Sequence, residues 1–467
     1  MRSISLALVI SAITAAGAVA QQPGHAGKQP KPLPRDTGMA GMPGMNKTGS
    51  AARDTAMRGM AGMAMTGPLG IPESRDASGT AWQPDLTPMY ALSRTAGRWS
   101  LMFHGNAFLQ YIADGSDRGE QQLGSVNWFM GMARHALAGG NLALRGMLSL
   151  EPLTVGKCGY PDLLATGEFC NGQPLHDRQH PHDMFMEVAA LYQRALSRNL
   201  AFELYGGPSG EPALGPVAFP HRLSALWSPI APISHHWQDA SHIAFGVVTG
   251  GVYGRRWKLE GSAFNGREPD DNRFNFDLGP LDSYSGRVWL LPTDRVVVQL
   301  STGYLRDAEQ ALDGGRSDVH RTTASLMYHA PVRTGGLWAN TLVWGQNRAH
   351  GLVTNAALLE SSLDLDGRNV IFGRGELDQK SGEDLALEQQ APALAGQVFN
   401  LGKVALGYTR QLTAGSLRPG LGAELSLSFV PSALKPFYGS TVAPGIAVYA
   451  SIRPGPMRMA MPSRAEP

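Results

Sequence analysis

The sequence predicts an all-β fold, an up-and-down transmembrane antiparallel β-barrel of about sixteen strands behind a disordered N-terminal linker. Three observations predict it. Apolar and polar residues alternate with period two from Trp99 onward, with few helical signals. The connections between these segments are short and long in turn along the whole chain. Charged residues recur on one face of the segments, where a wet barrel interior tolerates them. A soluble propeller or double sandwich also alternates, but it does not predict connections that take turns in length. No run of about eighteen apolar residues follows the N-terminal twenty, which excludes membrane-spanning helices.

The chain divides into four parts. Residues 1–20 read as a cleavable signal peptide: Met1-Arg2, an apolar stretch from Ile4 to Gly17, then Ala18-Val19-Ala20 before Gln21. Residues 21–88 read as a Met-rich disordered linker, poor in periodicity and rich in Gly, Pro, Ala and Thr. Residues 89–454 form the barrel and 455–467 a C-terminal tail. Within the linker, Met39, Met42, Met45, Met57, Met60, Met63 and Met65 recur at close spacing. Thioethers are soft ligands that suit Cu(I), and a flexible chain could wrap such an ion. Met457, Met459 and Met461 form a shorter run in the tail.

The strands read as 99–112, 122–135, 141–153, 182–195, 199–207, 241–254, 256–266, 283–291, 295–306, 318–330, 336–346, 355–365, 369–379, 397–411, 416–430 and 444–453. Leu417, Pro419, Leu421, Ala423, Leu425, Leu427 and Phe429 fall on one face of their strand, and Arg418, Glu424, Ser426 and Ser428 on the other. The residues assigned to the lumen are Arg145, Glu151, Glu187, Glu203, Glu260, Arg287, Glu360, Arg374, Glu376, Lys403 and Glu424. Trp99, Trp257, Trp289 and Trp338 lie near the short turns, where an interfacial aromatic girdle belongs. Short turns on the periplasmic side would put both barrel ends there, as a signal peptide and N-terminal linker require.

Two long connections, 154–181 and 208–240, gather the chemistry. Seven of the thirteen histidines lie between 176 and 242. His176, His180, His182, His235 and His236 are the candidate ligands, since imidazole suits Cu or Zn. Asp177, Asp183 and Asp239 could orient their rings. The alternative is that these histidines pin a loop to the barrel wall. The loop 208–240 is apolar and Pro-rich, so it is expected to fold into the barrel mouth as a constriction or plug. Cys158 and Cys170 can bridge in an oxidising compartment.

Lys plus Arg is 40 against 38 for Asp plus Glu, which argues against nucleic acid as a partner. No phosphate loop, dinucleotide fingerprint or nucleophile elbow occurs, and the chain is not expected to be an enzyme. The alternative is a lumenal hydrolase of the outer-membrane phospholipase type, with Ser234 or Ser241 beside His235, His236 and Asp239. The layout of signal peptide, Met-rich tract and barrel resembles the copper-resistance outer-membrane proteins of the B type. The stretches Trp82-Gln83-Pro84-Asp85 with Thr87-Pro88-Met89-Tyr90, His176–Asp183 and His235–Asp239 look like an uncharacterised bacterial barrel family. The expectation is therefore a bacterial outer-membrane barrel in a lipid bilayer. It would act as a porin-like pore or a copper tolerance or efflux component with copper ions as partner, or as a structural barrel without transport.

Overall fold

The computed structural model describes residues 66–310 and 315–457. The signal peptide, Met39 to Met65 of the methionine tract, Met459 and Met461 lie outside them.

The elements in chain order are β1 (Leu92–Ala96), β2 (Trp99–Asp114), β3 (Gln121–Gly124), β4 (Asn127–Leu137) and β5 (Gly140–Leu148). Next come β6 (Tyr160–Cys170), β7 (Gln173–Gln179), β8 (Phe185–Ala195), β9 (Ala201–Ser209) and β10 (Val247–Tyr253). They are followed by β11 (Trp257–Phe264), β12 (Ser283–Thr293), β13 (Val296–Gln310), β14 (Arg316–Pro331) and β15 (Leu337–Ala349). The last are β16 (Leu352–Asp364), β17 (Asn369–Ser381), β18 (Val398–Gln411), β19 (Leu417–Phe429) and β20 (Val442–Pro454). Sixteen of these, β2, β4, β5 and β8–β20 without β6 and β7, pair antiparallel with their neighbours. The pairing of Ala107–Asp114 in β2 with Gly445–Ile452 in β20 closes the wall. A closed wall has no sheet edge, and that is the condition for strands to cross a membrane.

The wall is apolar outside and charged inside. Along β11, Trp257, Leu259 and Ala263 are exposed while Lys258, Glu260 and Ser262 are buried. Along β19, Leu421, Leu425, Leu427 and Phe429 are exposed while Glu424, Ser426 and Ser428 are buried. A leucine left in water forgoes about 1.5–3 kcal/mol of burial, so this outer surface suits hydrocarbon. All eleven charged residues assigned to the lumen from the sequence are buried there. Among the girdle tryptophans, Trp257 and Trp338 face outward. Trp289 does not: it points into the lumen, where its Nε1 donates to Glu260 at 2.7 Å under the Arg287 guanidinium.

Several strand limits differ from the sequence reading: the strand read as 141–153 ends at Leu148, that read as 295–306 runs to Gln310, and three others are altered where the lumen competes for the chain. The segment read as 122–135 breaks at Ser125-Val126, where Ser125 N donates to Thr154 O and Asn127 N to Glu151 Oε1. The strands read from 182 and 241 begin instead at Phe185 and Val247. The linker expected to run to about Pro88 is folded from Thr66 onward. Trp82 is only 1 % exposed and lies between Arg75 and Lys258, its ring centre 5.0 and 4.7 Å from their charged groups. Wall side chains reach this segment's backbone: Arg145 donates to Gly79 O and Lys258 to Thr80 O. Gly79 has φ +51°, and a Cβ there would meet Glu211 Cβ at 2.7 Å, so only glycine passes this point.

Leu342, half-exposed near the middle of β15, is expected to lie in hydrocarbon. Leu342→Arg should weaken folding into lipid vesicles by about 2–4 kcal/mol, read from urea unfolding. A change near zero would place that face in water.

Candidate functional site

Residues 210–246, between β9 and β10, cross the lumen. The segment carries Pro212, Pro216, Pro220, Pro229 and Pro232, so it forms little regular structure and its carbonyls need outside donors. The wall supplies them. Arg374 donates to Ile230 O and Ala231 O at 3.0 and 3.1 Å, and Lys380 to Ile233 O at 3.0 Å. Tyr449 donates to Trp227 O, Arg287 to Gly215 O and Ser362 to Leu223 O. At the centre, Arg222 donates to Glu360 Oε2 of β16 at 2.9 Å and to Asp239 Oδ2 of its own loop at 2.6 Å, all three groups being fully buried. Burial alone would raise the Asp239 carboxyl, but Arg222 and His235 outweigh it and hold it below the usual range. The expected plug is therefore the observed arrangement.

The hairpin β6–β7 fills the neighbouring connection. The Cys158–Cys170 disulfide joins the chain just before β6 to the last residue of β6, beside the hairpin turn, as the compartment reading anticipates, and closing such a loop contributes about 3 kcal/mol. Lys403 of β18 meets Asp162 at 2.5 Å and donates to Leu163 O.

Both segments deliver histidines to one place. His180, His182, His235 and His236 come together, and His242 joins them. Ring centres are 5.5 Å apart for His180 and His236, 5.4 Å for His235 and His236, 5.2 Å for His235 and His242, and 5.3 Å for His182 and His242. Phe219 packs against three of the rings. His176 is not part of this group. It sits on β7, partly exposed, against Asp177.

The rings are oriented by specific acceptors. His182 Nδ1 meets Glu151 Oε2 at 2.9 Å, His235 Nδ1 meets Asp239 Oδ1 at 2.6 Å, and His242 Nδ1 meets Asp239 O at 2.7 Å. Asp183, expected as another ring partner, instead takes Arg273 at 3.2 Å, and burial raises its carboxyl to about 7. Among the described residues, no three or more His, Cys, Asp and Glu side chains stand in an arrangement that could hold one metal ion. His235 and His242 bond Asp239 within their own loop, and His180 Nδ1 and the Nε2 atoms of His182, His236 and His242 are buried without a hydrogen-bond partner. Burial is the main force on His180, His235, His236 and His242, and all four are held below the usual histidine range, His236 at about 4. His182 goes the other way, because Glu151 outweighs its burial.

The serines do not complete a triad. Ser234 Oγ donates to Glu376 Oε2 at 2.7 Å, and Ser241 Oγ is buried without a hydrogen-bond partner. Neither bonds to a histidine, although His235 and Asp239 make a base-and-orienter pair. Toward the long connections, a cavity of about 100 Å³ is lined by Glu268, Glu309, Asp384 and Glu388 beside His236, an acidic surface that favours cations.

Sequence reasoning missed three contributors. His242 fits a strand pattern, Glu151 carries only the signal of a lumen charge, and Arg222 has no local signal. The i, i+4 spacing of His235 and Asp239 was the one available clue to their bond.

No family model matches the chain, and no curated protein matches it. Solved structures do. The chain is similar to OmpF of Salmonella typhi, in complex with daunomycin, at 9 % identity over 78 % of this chain and 100 % of that one, TM-score 0.49. It is similar to OprB of Pseudomonas putida at 11 % identity over 76 % and 94 %, TM-score 0.48. An anion-selective porin of Comamonas acidovorans matches at 11 % identity over 76 % and 99 %, TM-score 0.44.

His236 contributes to loop docking only while neutral. Its folded pKa is depressed to about 4, so that contribution is full above about 6.5 and is lost as pH falls toward 4. Hydrogen exchange of 210–246 should show wild type better protected than His236→Gln at pH 7, with the gap closing as pH falls through that window. A gap independent of pH would contradict the buried neutral imidazole.

Proposed function

We propose that the chain is a porin-like outer-membrane conduit kept shut by its own loop. The observation that supports this is the way 210–246 is held. Its backbone is carried by charged and polar side chains from strands around the wall, through contacts that water can replace once the loop moves out. The acidic cavity at the long-connection end supports cations as cargo. The bilayer is the partner of the apolar outer wall. Signal-peptide export to the outer membrane of a bacterium belongs to this reading.

A second reading, copper tolerance or efflux, is favoured by the methionine spacing of the linker and by a methionine-lined cavity at the opposite end of the lumen. A lumenal hydrolase is less favoured, because Ser234 gives its hydroxyl proton to Glu376.

Planar-bilayer recordings test the conduit. The full chain should conduct little, and deletion of 212–240 should raise cation conductance roughly tenfold or more, since an emptied sixteen-strand barrel leaves an aqueous channel. A deletion variant that folds and stays silent would overturn the reading. Acyl release from phospholipid, lost in Ser234→Ala, would replace it with the hydrolase.

A further inference from the structure

On the lumenal face of four adjacent strands, methionines gather among charged side chains that include Arg145 and Glu187. There β2, β4, β5 and β8 present Met102, Met130, Met132, Met147 and Met186. Met102 lies opposite Met132, His104 opposite Met130, and Met130 opposite Met147 in the pairing register. Met102, Met130, Met147 and Met186 are buried. The loop does not fill the space in front of them. A cavity of about 110 Å³ remains, lined by Met89, Met102, Met130, Met132, His104 and His221 among others.

Two features distinguish this cavity from a packing gap. His104 Nε2 is buried beside this cavity and has no hydrogen-bond partner, as is also true of ring nitrogens of His180, His182, His236, His242 and His329. Trp128 also lines the space, with His221 against it at 4.7 Å and His104 edge-on at 5.4 Å, so its π-face could attract a cation. Two of the three cationic neighbours are neutralised, while Arg453, the third, lies over the rings of Tyr90 and Trp227. Arg134 pairs with Glu73 at 2.6 Å and Asp76 at 3.5 Å, and Arg145 lies 3.7 Å from Glu187. His221, tilted against Trp128, is a second imidazole at the same cavity.

We propose that this cavity binds a soft monovalent metal ion of the Cu(I) type, through the thioethers of Met102, Met130 and Met132 and an imidazole nitrogen of His104. Thioethers are neutral and soft, imidazole is neutral and accepts copper, and a donor set dominated by thioether sulfur selects Cu(I) over Zn(II). Met89, from the N-terminal segment, stands as a further sulfur at the same cavity. The proposal deepens the copper reading and rests on it, but binding is measured without any transport, so the two can fail separately.

The test uses the full-length protein in detergent, titrated with Ag(I) as a redox-inert probe and with Cu(I) under nitrogen, against a competing chelator. The methionine tract adds its own equivalents, so the comparison is between variants. The Met102→Leu, Met130→Leu double variant conserves volume and should keep heat-modifiable gel migration. It should lose one equivalent of Ag(I), or bind it at least tenfold more weakly, with the other equivalents unchanged. His104→Leu, the second variant, should weaken the same equivalent, and excess Zn(II) should not displace it. Unchanged stoichiometry and affinity in either folded variant, or displacement by Zn(II), would overturn the proposal.

Discussion

Arg222 lies in the middle of the lumen with its guanidinium between Asp239 of its own loop and Glu360 of β16. None of the three touches solvent. Removing one partner from such a buried set costs about 3–5 kcal/mol, because the others are left charged and unpaired. Glu360 also receives Ser224 and faces Arg374, which holds the carbonyls of Ile230 and Ala231. The path of the loop through the barrel follows from this network. The loop must cross where wall charges need partners, and the wall can carry those charges only because the loop is there.

The same constraint explains the two-sided wall. Outside, the strands need only be apolar, and Leu259, Leu342 and Leu421 are interchangeable in kind. Inside, each charged side chain has a particular task. Lys258 bonds to Glu203 and to Thr80 O while covering the Trp82 ring, and Arg287 joins Glu260, Gly215 O and Thr80 Oγ1. Thus the N-terminal segment and the loop are held by one set of wall residues. They also meet directly, where Ala218 N donates to Ser78 Oγ at 3.0 Å.

The barrel was legible in the sequence because its signal is local. Period-two alternation and turn length are properties of one strand and its connection, and Leu421 and Glu424 declare their faces without their neighbours. The lumen was legible only in part. Apolarity and prolines marked 208–240 as a folded plug, but nothing local says that Arg222 finds Glu360 across 138 residues. Strand limits at 182 and 241 ran long because His182 and His242 fit an alternating pattern until Glu151 and Asp239 claim them. Trp289 has the strand position of a girdle residue but lies on the lumenal face, where its Nε1 donates to Glu260. The segment from Thr66 to Pro88 looked featureless because its order comes from Arg145, Lys258 and Arg287, all distant in sequence.

The central claim is that residues 210–246 occupy the lumen in the folded membrane protein. Ser224 Oγ and Thr341 Oγ1 of β15 lie 2.7 Å apart, close enough for sulfurs at these positions to bond without large backbone movement. In the folded Ser224→Cys, Thr341→Cys protein, mild oxidation should form this cross-link nearly completely, detected by mass spectrometry of the digest. Two free thiols persisting in a barrel that is otherwise folded would contradict the account.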